Sequence, residues 1–306
     1  MVKYIYAAYS KCGTKTIASV FRTLGYSVYD MEEYWTCTID DWLKIESSTT
    51  TFEQKNKILK NMLENVDVVV DFPFVTFWRE ILGCFPEAKV IFYEREVEDW
   101  FKSFLSTTDI GIRNEHKYPG SLDLLFQKFF KPKYYKIDML WRNHFHNYWL
   151  GQMRPNDLDR SWWTVFPINL FSNIFLSQKS LEKLKYSCRI SKLHAIRNYR
   201  MHNADVKLNC PRKNLIILED LKSLNFGKFC EIIGIALPEN CKNKSQDWPH
   251  LNKKSSYIAD VFQGRDKGNK MVQMLDAEKE SAENKIRAIW SILVIFIAIL
   301  AVNKIL

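Results

Sequence analysis

Seven residues near the start of the chain, Ser10-Lys11-Cys12-Gly13-Thr14-Lys15-Thr16, combine two ammonium groups, three hydroxyls and a glycine directly after an apolar run. Val2 to Ala8 is β-rich, and Ile17, Val20, Phe21 and Leu24 then recur at helical spacing until Gly25. Strand, tight loop and helix in that order bring backbone N–H groups and the positive helix end onto one anion. Lys11 and Lys15 add charge there, and Ser10, Thr14 and Thr16 add hydroxyls. A phosphate or sulfate is the expected occupant; the plainer alternative is a Ser/Thr-rich turn capping an ordinary helix. The spacing departs from G-x-x-x-x-G-K-[ST]: Ala8 stands at the first glycine position, and Thr14 separates Gly13 from Lys15.

In open parallel sheets, ligands sit beyond the carboxyl ends of the strands, so two further strand ends matter. Arg95 follows the apolar run Lys89–Tyr93, and Ser103 lies eight residues later, two turns into the next helical stretch. An arginine fork and a helix hydroxyl so placed can reach one dianionic phosphate; a surface ion pair is the other use of such an arginine. Asp71 ends the run Val68-Val69-Val70 and is the candidate general base, against a turn-stabilising or helix-capping carboxylate before Pro73. His202 is the second candidate base, against a residue holding the C-terminal segment onto the core.

The elements that must position these groups alternate β-α-β-α, which predicts an α/β fold with a parallel sheet. Strands are expected at Tyr26–Tyr29, Asp67–Asp71, Lys89–Tyr93 and Asn214–Leu218, and helices at Phe52–Leu63, Thr76–Leu82, Glu96–Leu105 and Phe226–Ile233. A polar, Trp-bearing connection runs through Trp35 and Trp42. Residues 106–195 are Lys-rich and aromatic with no clear strand, and read as a large helical insertion. Its tryptophans suit a core first and an acceptor pocket second.

The chain has 306 residues and a formal net charge of +9. That charge suits an anionic ligand or an acidic membrane surface, and no nucleic-acid motif is present. Seven scattered cysteines without C-x-x-C spacing read as free thiols in a reducing compartment. The short N-terminal apolar run leaves no room for a signal peptide. Ala288 to Val302 is broken only by Ser291 and follows Lys285 and Arg287. With Ile286, Ile305 and Leu306 it approaches the ~20 residues of a membrane span, so 288–306 is expected to be a single-pass C-terminal transmembrane anchor. A buried C-terminal helix is the alternative. Residues 253–287 would then be a polar stalk, and residues 1–252 a cytosol-facing domain.

The loop Lys-x-Gly-Thr-x-Thr resembles the Lys-Ser-Gly-Thr-Thr loop of sulfotransferases. Val69-Val70-Asp71-Phe72-Pro73, Phe85-Pro86-Glu87-Ala88-Lys89-Val90-Ile91, Arg95-x-x-x-x-Trp100-x-x-Ser103, His202-Asn203-x-x-Val206 and Pro249-His250-x-Asn252 resemble successive segments of the sulfotransferase-like P-loop family, a group often misnamed NAD-dependent epimerase/dehydratase. No G-x-G-x-x-G supports the latter name. The resemblance covers roughly residues 1–252 and implies a P-loop-type three-layer α/β/α fold. It implies 3′-phosphoadenosine 5′-phosphosulfate as sulfuryl donor, no metal, and a small-molecule or lipid-like acceptor. By the same resemblance Lys11 serves the leaving-group oxygen, Ser10, Gly13, Thr14, Lys15 and Thr16 the 5′-phosphate, and Arg95 and Ser103 the 3′-phosphate. Glu94 and Glu96 flank Arg95 where the family has other residues, and they weaken anion binding if they point inward. A P-loop kinase or NTPase using Asp71 as Mg²⁺ ligand is the main rival. A membrane-tethered binding protein without catalysis is the second. Acceptor identity and oligomeric state stay open.

Overall fold

The computed structural model describes residues 1–47, 49–105, 130, 132, 135–136, 192–242, 248–249 and 270–305. Five parallel strands form its sheet: β1 (Tyr4–Tyr6), β2 (Val28–Tyr29), β3 (Val68–Val70), β4 (Lys89–Tyr93) and β5 (Leu215–Leu218), in the order β2-β3-β1-β4-β5. The register sets Ile5 beside Val69 on one side and Val90 on the other. Every residue of β1 and β3 is buried. Successive strand side chains point to opposite faces, so the centre of the sheet is covered on both. The α/β class with a parallel sheet is therefore as expected.

The helices are α1 (Thr14–Thr23), α2 (Met31–Thr36), α3 (Ile39–Glu46), α4 (Phe52–Met62), α5 (Trp78–Cys84), α6 (97–105), α7 (Lys192–Asn209), α8 (Phe226–Ile233), α9 (Glu239–Lys242) and α10 (Lys270–Ile305). The connection expected around Trp35 and Trp42 is instead α2 and α3. The Asp30 and Glu33 side chains form a capping box that starts α2, and Trp42 is driven fully into the core against Phe74 and Phe77. Helix α5 begins two residues later than its periodicity predicts, because Thr76 and Phe77 still donate their amides to the turn carbonyls of Pro73 and Phe74. The helical insertion expected at 106–195 lies outside the described residues, apart from a few isolated positions and the start of α7.

The expected stalk and the expected anchor meet in one element. Residues 270–305 form one continuous helix with no break at 287/288. Its first half is docked: α10 packs on α2, Ala282 is buried and Met274 sits against the core. These two residues are eight apart and share a helix face. Among the described residues, no helix is long and apolar enough to cross a membrane. The side chains of 293–306, most of the expected anchor, lie outside the described residues.

Candidate functional site

Strand β1 delivers the loop 10–16 to the carboxyl end of the sheet, and Gly13 starts α1 with a left-handed φ of 80° and no side-chain cap. A Cβ at position 13 would stand 3.0 Å from Leu221 Cδ1, a tight contact from which the leucine would have to shift, and the positive φ itself favours glycine. The first turn of α1 holds no acidic residue. Among the described residues, the backbone N–H groups of Ser10, Lys11, Gly13, Thr14 and Thr16 have no acceptor. Unpaired amides at the positive end of a helix can hold an anion.

Lys11 is held at φ 74° and Asp71 at φ 64°, the only non-glycine residues with positive φ among those described. For a residue with a Cβ this conformation is strained and persists only where neighbours enforce it. The neighbours are visible. Asp71 accepts hydrogen bonds from Ser10 Oγ (2.7 Å), Thr14 Oγ1 (2.8 Å) and its neighbour's amide, Phe72 N (2.9 Å). The carboxylate at the end of β3 thereby ties two of the loop's three hydroxyls. Arg95 Nη1 donates to the Lys11 carbonyl at 3.1 Å, so Arg95 is bonded to the loop itself. Burial holds the Lys11 ammonium below the ordinary lysine range, Asp71 opposes that shift, and Arg95 adds to it. The ammonium of Lys11, two residues before the N-cap Gly13 of α1, therefore feels both Arg95 and Asp71.

Other predicted ligands are distributed differently. Thr14 and Thr16 are buried in the first turn, Thr14 with its hydroxyl on Asp71. The Lys15 ammonium pairs with Asp30 at 2.9 Å, where Arg22 also binds at 3.2 Å. Asp30 is 1% exposed. Although burial alone would raise its pKa, Lys15, Arg22 and the Glu32 amide together hold it at about 2. A depressed carboxylate pKa gives stability that is full above the unfolded value and lost as pH falls through the folded one. Thermal denaturation of the wild type is therefore expected to lose stability between about pH 4 and pH 2, and Asp30→Asn to lack that component and melt lower at pH 7. Ser103 lies on α6, which follows Arg95, as predicted.

His202 Nε2–H donates to the Ala7 carbonyl at 2.8 Å, and its ring lies against Tyr9. Burial lowers its pKa to about 4, so it is neutral at pH 7 and braces the strand leading into the loop. Glu94 and Glu96 each have partners of their own. Glu94 binds Asn203 and Lys207 on α7, and Glu96 accepts the Asp99 amide at the start of α6. Sequence reasoning overlooked Tyr6, whose hydroxyl donates to the Cys12 carbonyl at 2.7 Å, and assigned no role to Trp100, whose Nε1 donates to the Ser10 carbonyl at 3.0 Å. Cys12 is fully buried, and its thiol is pushed up to about 12 by burial, so it takes no nucleophilic part. Among the described residues, no group of three or more His, Cys, Asp or Glu side chains could hold a metal ion.

No curated protein matches the chain. A family model described as a sulfotransferase domain matches residues 3–257, an interval that contains the loop, Asp71, Arg95, Ser103 and His202. The protein belongs to the sulfotransferase domain family.

Proposed function

We propose that the protein transfers a sulfuryl group from 3′-phosphoadenosine 5′-phosphosulfate to a hydroxyl or amine of a small-molecule or lipid-like acceptor, by in-line displacement and without a metal. The observation that carries this reading is a loop at the start of α1 whose amides have no acceptor among the described residues, with Arg95 bonded to the Lys11 carbonyl and the Lys11 ammonium within electrostatic reach of Arg95 and Asp71. Sulfuryl transfer, like phosphoryl transfer, asks chiefly for positioning and for charge stabilisation on the leaving phosphate. Lys11 serves that leaving oxygen. The loop amides and the Thr14 and Thr16 turn hold the 5′-phosphate, while Arg95 and Ser103 hold the 3′-phosphate.

Asp71 is the proposed base. A carboxylate offers roughly four acceptor positions, and three are filled by Ser10, Thr14 and Phe72. One position remains for an acceptor proton, on a group whose orientation is already fixed. A second reading has its own observation: a loop threonine hydroxyl on a strand-end aspartate is the pair that holds Mg²⁺ in P-loop NTPases.

The test is release of 3′,5′-adenosine bisphosphate from the sulfuryl donor by the full chain over a panel of alcohols, phenols and amines, with and without EDTA. Chelator-insensitive, acceptor-dependent release is expected. Turnover only of ATP, and only with Mg²⁺, supports the second reading. Arg95→Ala removes a guanidinium that serves both the loop and the phosphate, and is expected to weaken bisphosphate binding about 30-fold in calorimetry.

A further inference from the structure

We propose that Tyr6 and Trp100 are positioning residues for donor binding, acting on the back of the loop: they fix two of its carbonyls and so aim two amides at the anion. This rests on the reading that the loop holds the donor's 5′-phosphate. Three consecutive loop carbonyls are each bonded by a donor from outside the loop: Ser10 by Trp100 Nε1, Lys11 by Arg95 Nη1 and Cys12 by the Tyr6 hydroxyl. A trans peptide is planar, with its C=O and the following N–H pointing in opposite directions. Anchoring the Ser10 carbonyl behind the loop therefore turns the Lys11 N–H forward, and anchoring the Cys12 carbonyl turns the Gly13 N–H forward. Those two amides have no acceptor among the described residues, whereas the intervening Cys12 N–H is already spent on Tyr9 O at 3.1 Å.

The two donors are well suited to this role. Tyr6 and Trp100 are both 0% exposed, so water does not compete for the carbonyls. Tyr6 lies in β1, fixed by the centre of the sheet. Trp100 is stacked on Tyr199, with ring centroids 4.2 Å apart at 9°. The Tyr199 hydroxyl donates to the Arg95 carbonyl at 2.6 Å. Helix α7 thus buttresses both Trp100 and the strand end that carries Arg95. The strained φ of Lys11 is set from both sides of the residue, since the carbonyl before it and its own carbonyl are each tied.

Tyr6→Phe and Trp100→Phe each keep an aromatic ring and delete one donor. Calorimetric titration of the full chain with 3′,5′-adenosine bisphosphate, and separately with inorganic phosphate, reads the effect at a temperature where each variant is folded. Leaving a buried carbonyl unpaired and its amide free to turn is expected to raise Kd about tenfold for both probes, with unchanged stoichiometry. A merely structural role would lower the bound stoichiometry through unfolded protein and leave Kd where it was, and that result overturns the proposal. So does wild-type affinity in both variants, or a wild type that binds neither probe. A wild type that binds phosphate but not the bisphosphate, with the tenfold loss still present, refutes the donor assignment and sustains the positioning role.

Discussion

Lys11→Ala is expected to lower kcat for sulfuryl transfer about 10²–10³-fold while the protein stays folded, the effect typical of removing one preorganised charge stabiliser from a transition state. The folded state has little stake in this ammonium. It is drawn below the ordinary lysine range chiefly by burial, with Arg95 adding to that cost and only Asp71 opposing it, and among the described residues its Nζ makes no hydrogen bond or ion pair. The backbone of Lys11 does the structural work instead, through the carbonyl held by Arg95, and alanine keeps that carbonyl. Steady-state kinetics paired with a melting curve separates the two contributions. Near-native kcat in a folded Lys11→Ala protein removes Lys11 from the leaving-group role.

Asp71→Asn is the second large effect. Asparagine keeps the shape and one acceptor oxygen, and the Ser10 and Thr14 hydroxyls can rotate to accept as well as donate, so much of the tether to the loop survives. Lost are the negative charge and the capacity to take a proton. A general base contributes about 10²–10⁴-fold, so kcat is expected to fall by about that factor while bisphosphate affinity changes little. The turn-stabilising alternative predicts the reverse: weaker bisphosphate binding with kcat nearly kept. Measuring both quantities on the one variant decides between them.

The parts of the molecule that read clearly from sequence are those with strong local rules. Val68-Val69-Val70 and Val90-Ile91-Phe92 are short, continuous apolar runs, the pattern of a strand buried on both faces. The loop lies between a strand and an amphipathic helix, and Arg95 follows a strand end; both proved to be in one place. The fates of individual side chains were not legible, because they depend on partners distant in sequence. Lys15 is one residue from Thr14, yet its ammonium goes to Asp30, a residue held low by Arg22 on the same helix. Glu94 looked threatening beside Arg95 until α7, more than a hundred residues later, supplied Asn203 and Lys207. Helices α2 and α3 were missed although Asp30-x-x-Glu33 spells a capping box, since α2 is only six residues long and too short to show a period. The docking of α10 through Met274 and Ala282 was hidden for a related reason: two small contacts on a highly charged helix leave no apolar stripe.

A donor site assembled from the loop and Arg95 is tested by the thermal shift of the full chain with 3′,5′-adenosine bisphosphate, set beside ATP with Mg²⁺, in wild type and Arg95→Ala. A ligand that binds only the folded state raises its stability in proportion to the logarithm of its concentration over Kd. Stabilisation by the bisphosphate without Mg²⁺, largely lost in Arg95→Ala, is expected. Stabilisation by Mg²⁺-ATP alone, indifferent to Arg95, would contradict such a site.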